Sequence, residues 1–108
     1  MRTLKFNVNG MVVKQDPSCD FTNLVPGTEG YLIAEFTFSP EWDGYTKVAG
    51  FYSVMGAEYK PQLLTDNRCI IPAEALERRA FKIMVAGGRG DKRLRTSKIT
   101  IRQDGGKI

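Results

Sequence analysis

The sequence predicts an all-β fold, an antiparallel sandwich or small barrel of about seven or eight short strands. Apolar residues alternate with polar ones in short runs, and turn-forming residues separate these runs at intervals of roughly 8–14 residues. Only the segment near residues 72–78 has a helical pattern, and it is long enough for a single turn. Residues 1–103 are therefore predicted to form one domain, followed by a short polar tail at residues 104–108.

The first two strands are predicted to form a tight hairpin. The dipeptide Asn9-Gly10 is a strong signal for a two-residue hairpin turn, and a second strand-like run begins at Met11. After an irregular connection, a new strand begins at Gly30. Alternation predicts that the core-facing residues of these strands are Leu4, Phe6, Val8, Leu32, Ala34, Phe36 and Phe38.

The stretch FSPEWDGYTKVAGFY, residues 38–52, places the only tryptophan of the chain in a turn. We expect Trp42 to close the open end of the sandwich, with Pro40 and Gly44 shaping the bend and the Asp43 side chain bonding to backbone. A ligand platform formed by Trp42, Tyr45 and Tyr52 and an anchor for a catalytic loop are the alternatives.

The remaining elements follow the same alternation. Residues 47–54 form a largely apolar run that suits a central strand, and Pro61 indicates an edge strand or a bulge in the next one. Pro72 begins the short helical turn. Phe81, Ile83 and Val85 are expected to face inward on the following strand, and Ile99 and Ile101 on the last one.

The residue types argue against catalysis and metal binding. The chain contains no histidine, so the commonest general base and metal ligand are missing, and no loop gathers three carboxylates. Cys19 and Cys69 lie in no CxxC motif. Two buried free thiols are the preferred interpretation, and a disulfide between the sheets is the alternative. We therefore expect a protein that is not an enzyme and binds no cofactor and no metal.

Charge is distributed unevenly along the chain, whose net charge is +4. Residues 1–66 carry five Lys/Arg and eight Asp/Glu, whereas residues 67–108 carry eleven and four. This asymmetry suits an anionic partner, such as nucleic acid or the acidic surface of another subunit. The cations predicted to bind a partner are Arg89, Lys92, Arg93, Arg95, Lys98 and Arg102.

Simple alternation separates these cations into two groups. It places Arg93 and Arg95 on one face of the last strand and Lys98 and Arg102 on the other, so that they form no single stripe. No aromatic residue occurs between Arg89 and Ile108 to stack on bases. The sequence therefore favours an acidic protein surface over nucleic acid as the partner.

No apolar run is long enough to cross a membrane, and the N-terminus has no signal-peptide pattern. We therefore expect neither secretion nor insertion into a membrane.

Residues 30–103 resemble a small immunoglobulin-like domain of phage and prophage virion proteins from Firmicutes-type hosts. The most specific segments are Glu41-Trp42-Asp43-Gly44 and the stretch CIIPAEAL at residues 69–76, followed by FKIMVAGG and the basic strand TSKITI. The residues that carry this structural signature are Trp42, Asp43, Gly44, Phe51, Cys69, Pro72 and Leu76. Gly50 departs from the pattern, because relatives have a larger apolar residue there.

The resemblance implies an immunoglobulin-like β-sandwich and a structural role on a phage particle, in the tail, baseplate or fibre or as a capsid decoration. The expected partners are other virion proteins and further copies of the chain, and the expected location is the virion, assembled in the host cytoplasm. A cell-surface or carbohydrate-binding module and a nucleic-acid-binding domain are the alternatives.

Overall fold

The computed structural model describes residues 1–103, which form nine β-strands in two sheets. The strands are β1 (Arg2–Asn9), β2 (Val12–Gln15), β3 (Leu32–Phe38), β4 (Thr46–Tyr52), β5 (Gln62–Leu63), β6 (Arg68–Ile70), β7 (Ala80–Arg89), β8 (Lys92–Arg95) and β9 (Ile99–Arg102). Two short 3-10 helices, Pro40–Trp42 and Ala73–Glu77, complete the regular structure. The expected all-β sandwich is confirmed, and the helical turn lies where the sequence predicts it.

The two sheets have different strand orders. Sheet 1 has the order β2-β1-β3-β6, and sheet 2 has the order β5-β4-β7, with both β8 and β9 pairing with the far edge of β7. Every pairing is antiparallel except that of β1 with β3, which run parallel over seven residue pairs from Arg2↔Leu32 to Val8↔Phe38. Sequence alternation predicts which face of a strand is buried but not which strand it pairs with, so this parallel pair was not expected.

The hydrophobic core lies between the sheets and follows the predicted alternation. Leu4, Phe6 and Val8 of β1 and Phe81, Ile83 and Val85 of β7 are buried from opposite sides of the sandwich. Phe6 stacks on Phe36 with ring centroids 5.3 Å apart, which continues the core across the parallel pair. The first hairpin forms as predicted, but its two turn residues are Gly10, with a positive φ of 60°, and Met11, because Asn9 pairs with Val12.

Trp42 closes one end of the sandwich. Its side chain is 0% exposed, its ring lies 5.3 Å from that of Phe38, and its Nε1–H donates a hydrogen bond to the Gly10 carbonyl at 2.8 Å. Gly87 of β7 makes room for the ring, because a Cβ there would stand 3.0 Å from it. The prediction of a plug is confirmed. The platform interpretation of Trp42 is wrong, because the ring presents no face to solvent.

The bend around Trp42 differs from the prediction at one residue. Gly44 takes a positive φ of 80°, and Pro40 begins the 3-10 helix, as expected. Asp43, however, contributes its backbone N–H, which donates to the Pro40 carbonyl at 3.0 Å. Within residues 1–103 its carboxylate makes no hydrogen bond, so the expected bond from the Asp43 side chain to backbone is wrong.

The other signature residues also have structural positions. Phe51, on β4, and Leu76, in the second 3-10 helix, are buried in the core, and Pro72 is the residue from which that helix begins. Cys69 is half-buried on the inward side of β6, and Cys19 is half-buried in the connection between β2 and β3. Both thiols are free rather than joined in a disulfide. The predicted tail at residues 104–108 lies outside the described residues.

Candidate anion-binding face

A one-residue β-bulge separates β8 from β9. Arg95 lies opposite Ala86 and Ile99 lies opposite Ile83, so three residues of this strand, Thr96 to Lys98, face two residues of β7. The Thr96 hydroxyl takes the place of a backbone acceptor: the Val85 N–H donates to Thr96 Oγ1 at 3.0 Å, and the Thr96 N–H donates to the Val85 carbonyl at 2.9 Å.

The bulge brings cations from both strands to one side of sheet 2. Residues directly opposite each other in an antiparallel pair point to the same face, so Arg95 lies on the side of Ala86 and Arg102 on the side of Ala80. Both alanines lie on the outer side of β7, because Phe81, Ile83 and Val85 fill the inner side. The prediction that Arg93 and Arg95 lie opposite Lys98 and Arg102 is therefore wrong.

We call this surface the basic face. It is the outer side of sheet 2 along β7, β8 and β9, and its cations are Lys82, Arg93, Arg95, Lys98 and Arg102. Four of the five are exposed and Lys82 is half-buried. The sequence contains a signal for this arrangement. Leu94 and Ile99 both pack against the core although they are five residues apart. Because side chains alternate between faces along a regular strand, two inward residues at an odd spacing require one extra residue between them.

Two of the predicted partner-binding residues lie elsewhere. Lys92 is paired with Arg89 at the tip of the β7–β8 hairpin, and both continue the inward-facing positions of their own strands beyond the end of the core. The Arg89 side chain runs close to Gly44, beside the Trp42 corner. The structure therefore separates the predicted set into four residues on the basic face and two at the end of the sandwich.

Three cations near this face were not predicted. Lys82 lies on the outer side of β7, and Arg78 and Arg79 follow the second 3-10 helix. Together with Arg102 they line an open groove of about 750 Å³ at the end of the basic face where Arg102 lies. Thr100, Val54 and Glu77 also line this groove. The adjacent pair Arg78-Arg79 just before a strand was the signal available in the sequence.

Gln103 holds the Arg78–Arg79 segment next to β9. Its backbone N–H donates to the Arg79 carbonyl at 2.7 Å, and its side-chain Nε2 donates to the carbonyls of Arg78, at 2.5 Å, and Leu76, at 3.1 Å. Because Gln103 follows Arg102 directly, these bonds place Arg78 and Arg79 beside Arg102. Gln103 itself is 6% exposed, so this connection is part of the packed interior.

In the part of the chain that the structure describes, no carboxylate forms an ion pair with a cation of the basic face. Within residues 1–103 the only ion pair joins Arg68 and Glu35 at 3.1 Å, on the outer side of sheet 1. Glu77 lines the groove, and Glu58 lies opposite Tyr52 at the β4 side of the sheet. The described residues therefore give this face an excess of positive charge, which favours an external anion.

One aromatic residue lies on the same surface. Tyr52 is opposite Lys82, and the Lys98 ammonium stands 3.9 Å from the centre of its ring, a cation–π contact. Gly50 explains the position of the ring: a Cβ there would stand 3.1 Å from Tyr52 and 3.0 Å from the sulfur of Met84. The small residue that departs from the family pattern therefore allows Tyr52 and Met84 to pack over β4.

The acidic residues do not form a matching face. Many lie in connections and turns, including Asp16, Asp20 and Glu29 between β2 and β3 and Asp66 between β5 and β6. The outer side of sheet 1 carries Lys5, Lys14 and the paired Glu35 and Arg68. The charge difference between the two halves of the chain therefore does not produce an acidic sheet that could dock on the basic face of another copy.

Two features that would indicate other types of site are absent from the described residues. These residues contain no group of three or more His, Cys, Asp or Glu arranged to hold a metal ion. None of their helices has the length and apolarity to cross a membrane. Burial raises the pKa of the Cys69 thiol to about 12, which is opposite to the shift that activates a cysteine nucleophile.

Comparisons with known proteins leave the family open. The chain matches no protein-family model, and a search of curated proteins finds no significant match.

Proposed function

We propose that this chain is a structural accessory protein of a bacteriophage particle. It acts without catalysis, as an immunoglobulin-like module on the tail, baseplate or capsid, assembled in several copies with other virion proteins and with itself. The proposal rests on the resemblance of residues 30–103 to virion domains, and the corner at Trp42 is the observation that supports it best.

The corner at Trp42 supports the proposal because the most specific motif of the chain packs into the core through its tryptophan and does not present that ring as a binding surface. A tryptophan that served a glycan or a substrate would expose its ring, whereas Trp42 is fully buried and bonded to Gly10. The fold accounts for two residues of this motif, because Trp42 fills the core and Gly44 takes a positive φ of 80°. A rigid module of this kind suits repeated assembly, in which many small contacts add together once copies are held on one particle.

The test is the protein composition of purified particles. Particles produced by the phage or prophage that carries this gene should contain the chain in many copies per particle, measured by quantitative mass spectrometry against the major capsid protein. Particles from a deletion strain provide the control. A chain that is made during infection but is absent from purified particles would rule the proposal out.

A further inference from the structure

We propose that the basic face binds the phosphodiester backbone of nucleic acid, without reading its sequence. The proposal stands on the positions of the described side chains and does not depend on the virion role. It follows from the bulge at Thr96–Lys98, which removes the separation of the cations that simple alternation predicted.

The cations of the basic face form a stripe whose dimensions suit an extended polyanion. Arg93 and Arg102 are at the two ends of a nearly continuous strand, which spans roughly 25–30 Å at about 3.3 Å per residue. Because duplex DNA places one phosphate per 3.4 Å of axis on each strand, a stripe of this length passes roughly eight phosphates of one strand. Lys82 widens the stripe toward β4, and Arg78 and Arg79 extend it at the end where Arg102 lies.

The charge balance favours a polyanion over an acidic protein surface. Five cations lie on the face and two more line its groove, and within residues 1–103 none of the seven is in an ion pair. Clustered Lys and Arg on one face of a domain with a pI above 9 are typical of nucleic-acid binding. The pI of this chain is about 9.2.

The shape of the face indicates backbone contacts. The cations project from the outer side of a sheet, and the helices of residues 1–103 are two short 3-10 helices, so no α-helix stands on this face to enter the major groove and read base edges. Tyr52 is the aromatic ring on the face, and the Lys98 ammonium already lies over it. Contacts of cations with phosphate therefore dominate, and binding should be independent of sequence and strongly dependent on salt.

The experiment measures fluorescence anisotropy with a labelled 20-base-pair duplex of mixed sequence and, separately, a single strand of equal length. With about four or five phosphates contacted, the affinity of the unchanged protein for the duplex should fall by roughly 150- to 500-fold between 50 and 200 mM salt. Binding of either oligonucleotide supports the proposal, and the tighter one identifies the form of nucleic acid that is bound. No binding to either at 50 mM salt with the protein at about 100 µM would overturn it.

A matched pair of double variants assigns the site. Lys82→Gln/Lys98→Gln removes two lysines from the basic face, and Lys5→Gln/Lys14→Gln removes two from the outer side of sheet 1. The first variant should weaken binding at least tenfold at 50 mM salt and make the slope of log K against log salt shallower by about 1.8, and the second should change affinity less than threefold. Equal losses would mean that only the net charge matters and would overturn the proposal.

A competition arm separates nucleic acid from an acidic protein partner. Unlabelled duplex should displace the labelled duplex at a much lower concentration of negative charge than poly-L-glutamate does. If poly-L-glutamate competes equally well, the face recognises acidic polypeptide as readily as phosphate, and the proposal is wrong. Circular dichroism and thermal unfolding of each variant provide the check that all compared proteins are folded.

Discussion

Trp42 is the only tryptophan of the sequence, and its side chain is fully buried. The indole fills the end of the core, its Nε1–H finds the Gly10 carbonyl, and Gly87 leaves the space that the ring needs. The turn formers around it bend the chain so that a residue outside the strands can still reach the core. Burial of so large an apolar ring outweighs the entropic cost of ordering the turn.

We expect Trp42→Ala to lower the free energy of unfolding by about 3–5 kcal/mol, because it leaves a large cavity and an unpaired Gly10 carbonyl. Urea denaturation followed by circular dichroism measures the loss. Tyr45→Ala is a suitable control, since Tyr45 packs beside Trp42 but is only half-buried. A loss below about 1 kcal/mol for Trp42→Ala would contradict its role as a plug.

Gly87→Ala tests the same corner from the opposite sheet. The added Cβ would stand 3.0 Å from the Trp42 ring and 3.3 Å from the Thr46 carbonyl, so we expect a loss of about 1–3 kcal/mol. Gly88→Ala is the matched control, because its Cβ would meet nothing within 4 Å. Unfolding free energies of the two variants should differ clearly, and equal values would mean that the ring moves aside at no cost.

Cys69 gives a residue-scale prediction about pH. Burial raises the pKa of its thiol from 9.0 to about 12, so the folded protein keeps the proton in a range where the unfolded chain releases it. The contribution of this group to stability is therefore fully present below pH 9 and is lost as the pH rises toward 12. Urea midpoints measured across alkaline pH should fall less steeply in Cys69→Ala, and identical slopes would contradict the assignment.

At the scale of elements, the bulge between β8 and β9 decides which way the cations point. Its geometry depends on Thr96, whose hydroxyl accepts the Val85 N–H that a regular ladder would pair with a carbonyl. The buried hydroxyl also donates to the Ser97 carbonyl at 2.9 Å. One side chain therefore satisfies the backbone at the point where the register changes.

Thr96→Val keeps the shape of this side chain but removes its oxygen. The Val85 N–H is then buried without an acceptor, and we expect a loss of about 1–3 kcal/mol and faster hydrogen exchange at the Val85 amide. Thr100→Val on β9 is the control, because within residues 1–103 the Thr100 hydroxyl makes no hydrogen bond. Unchanged exchange at Val85 in Thr96→Val would show that the bulge is held by other contacts.

Much of each element could be predicted from local pattern. The inward residues of β1, β3 and β7, the first hairpin and the 3-10 helix after Pro72 all follow from alternation and turn chemistry. The bulge was missed because alternation was taken as unbroken from Arg93 to Arg102. The parallel pairing of β1 with β3 and the placement of Arg78 and Arg79 by Gln103 depend on contacts distant in sequence, which a local pattern does not encode.

At the scale of the whole molecule, the long connection between β2 and β3 is held by hydrogen bonds as well as by the packing of Phe21 and Leu24 on the core. The Arg2 guanidinium donates to the carbonyls of Asp20, Thr22 and Asn23 at 2.6–3.2 Å. Asp16 and Asp20 each accept hydrogen bonds from the residue two positions later, Ser18 and Thr22. Leu24 is the fully buried side chain of this segment.

Because of these bonds, we expect acid to loosen the connection between β2 and β3 before the rest of the domain. The Ser18 N–H and hydroxyl lower the pKa of Asp16 below its ordinary value of 3.8, and the Thr22 hydroxyl and N–H lower the pKa of Asp20 in the same way. Their stabilisation is therefore fully present above pH 3.8 and is lost as the pH falls through the lowered folded pKa values. Hydrogen exchange of residues 16–24 at pH 5 and pH 2.5 measures this.

Replacement of the two carboxylates provides the control for the acid prediction. In Asp16→Ala/Asp20→Ala the protection of this segment should already be low at pH 5 and should change little on acidification. If the double variant shows the same difference in protection between pH 5 and pH 2.5 as the unchanged protein, the effect belongs to other carboxylates.

The extra residue of the bulge also has a mechanical consequence. Ser97 donates its backbone N–H to the Met11 carbonyl at 3.0 Å, and the neighbouring Gly10 is held by Ser39 Oγ and by the Trp42 indole. The tip of the first hairpin is thus hydrogen-bonded to the segment between β8 and β9 on one side and to the Trp42 corner on the other. A pull on β8 and β9 by a bound partner would therefore also act on the tip of the first hairpin, through the hydrogen bond from Ser97 to Met11.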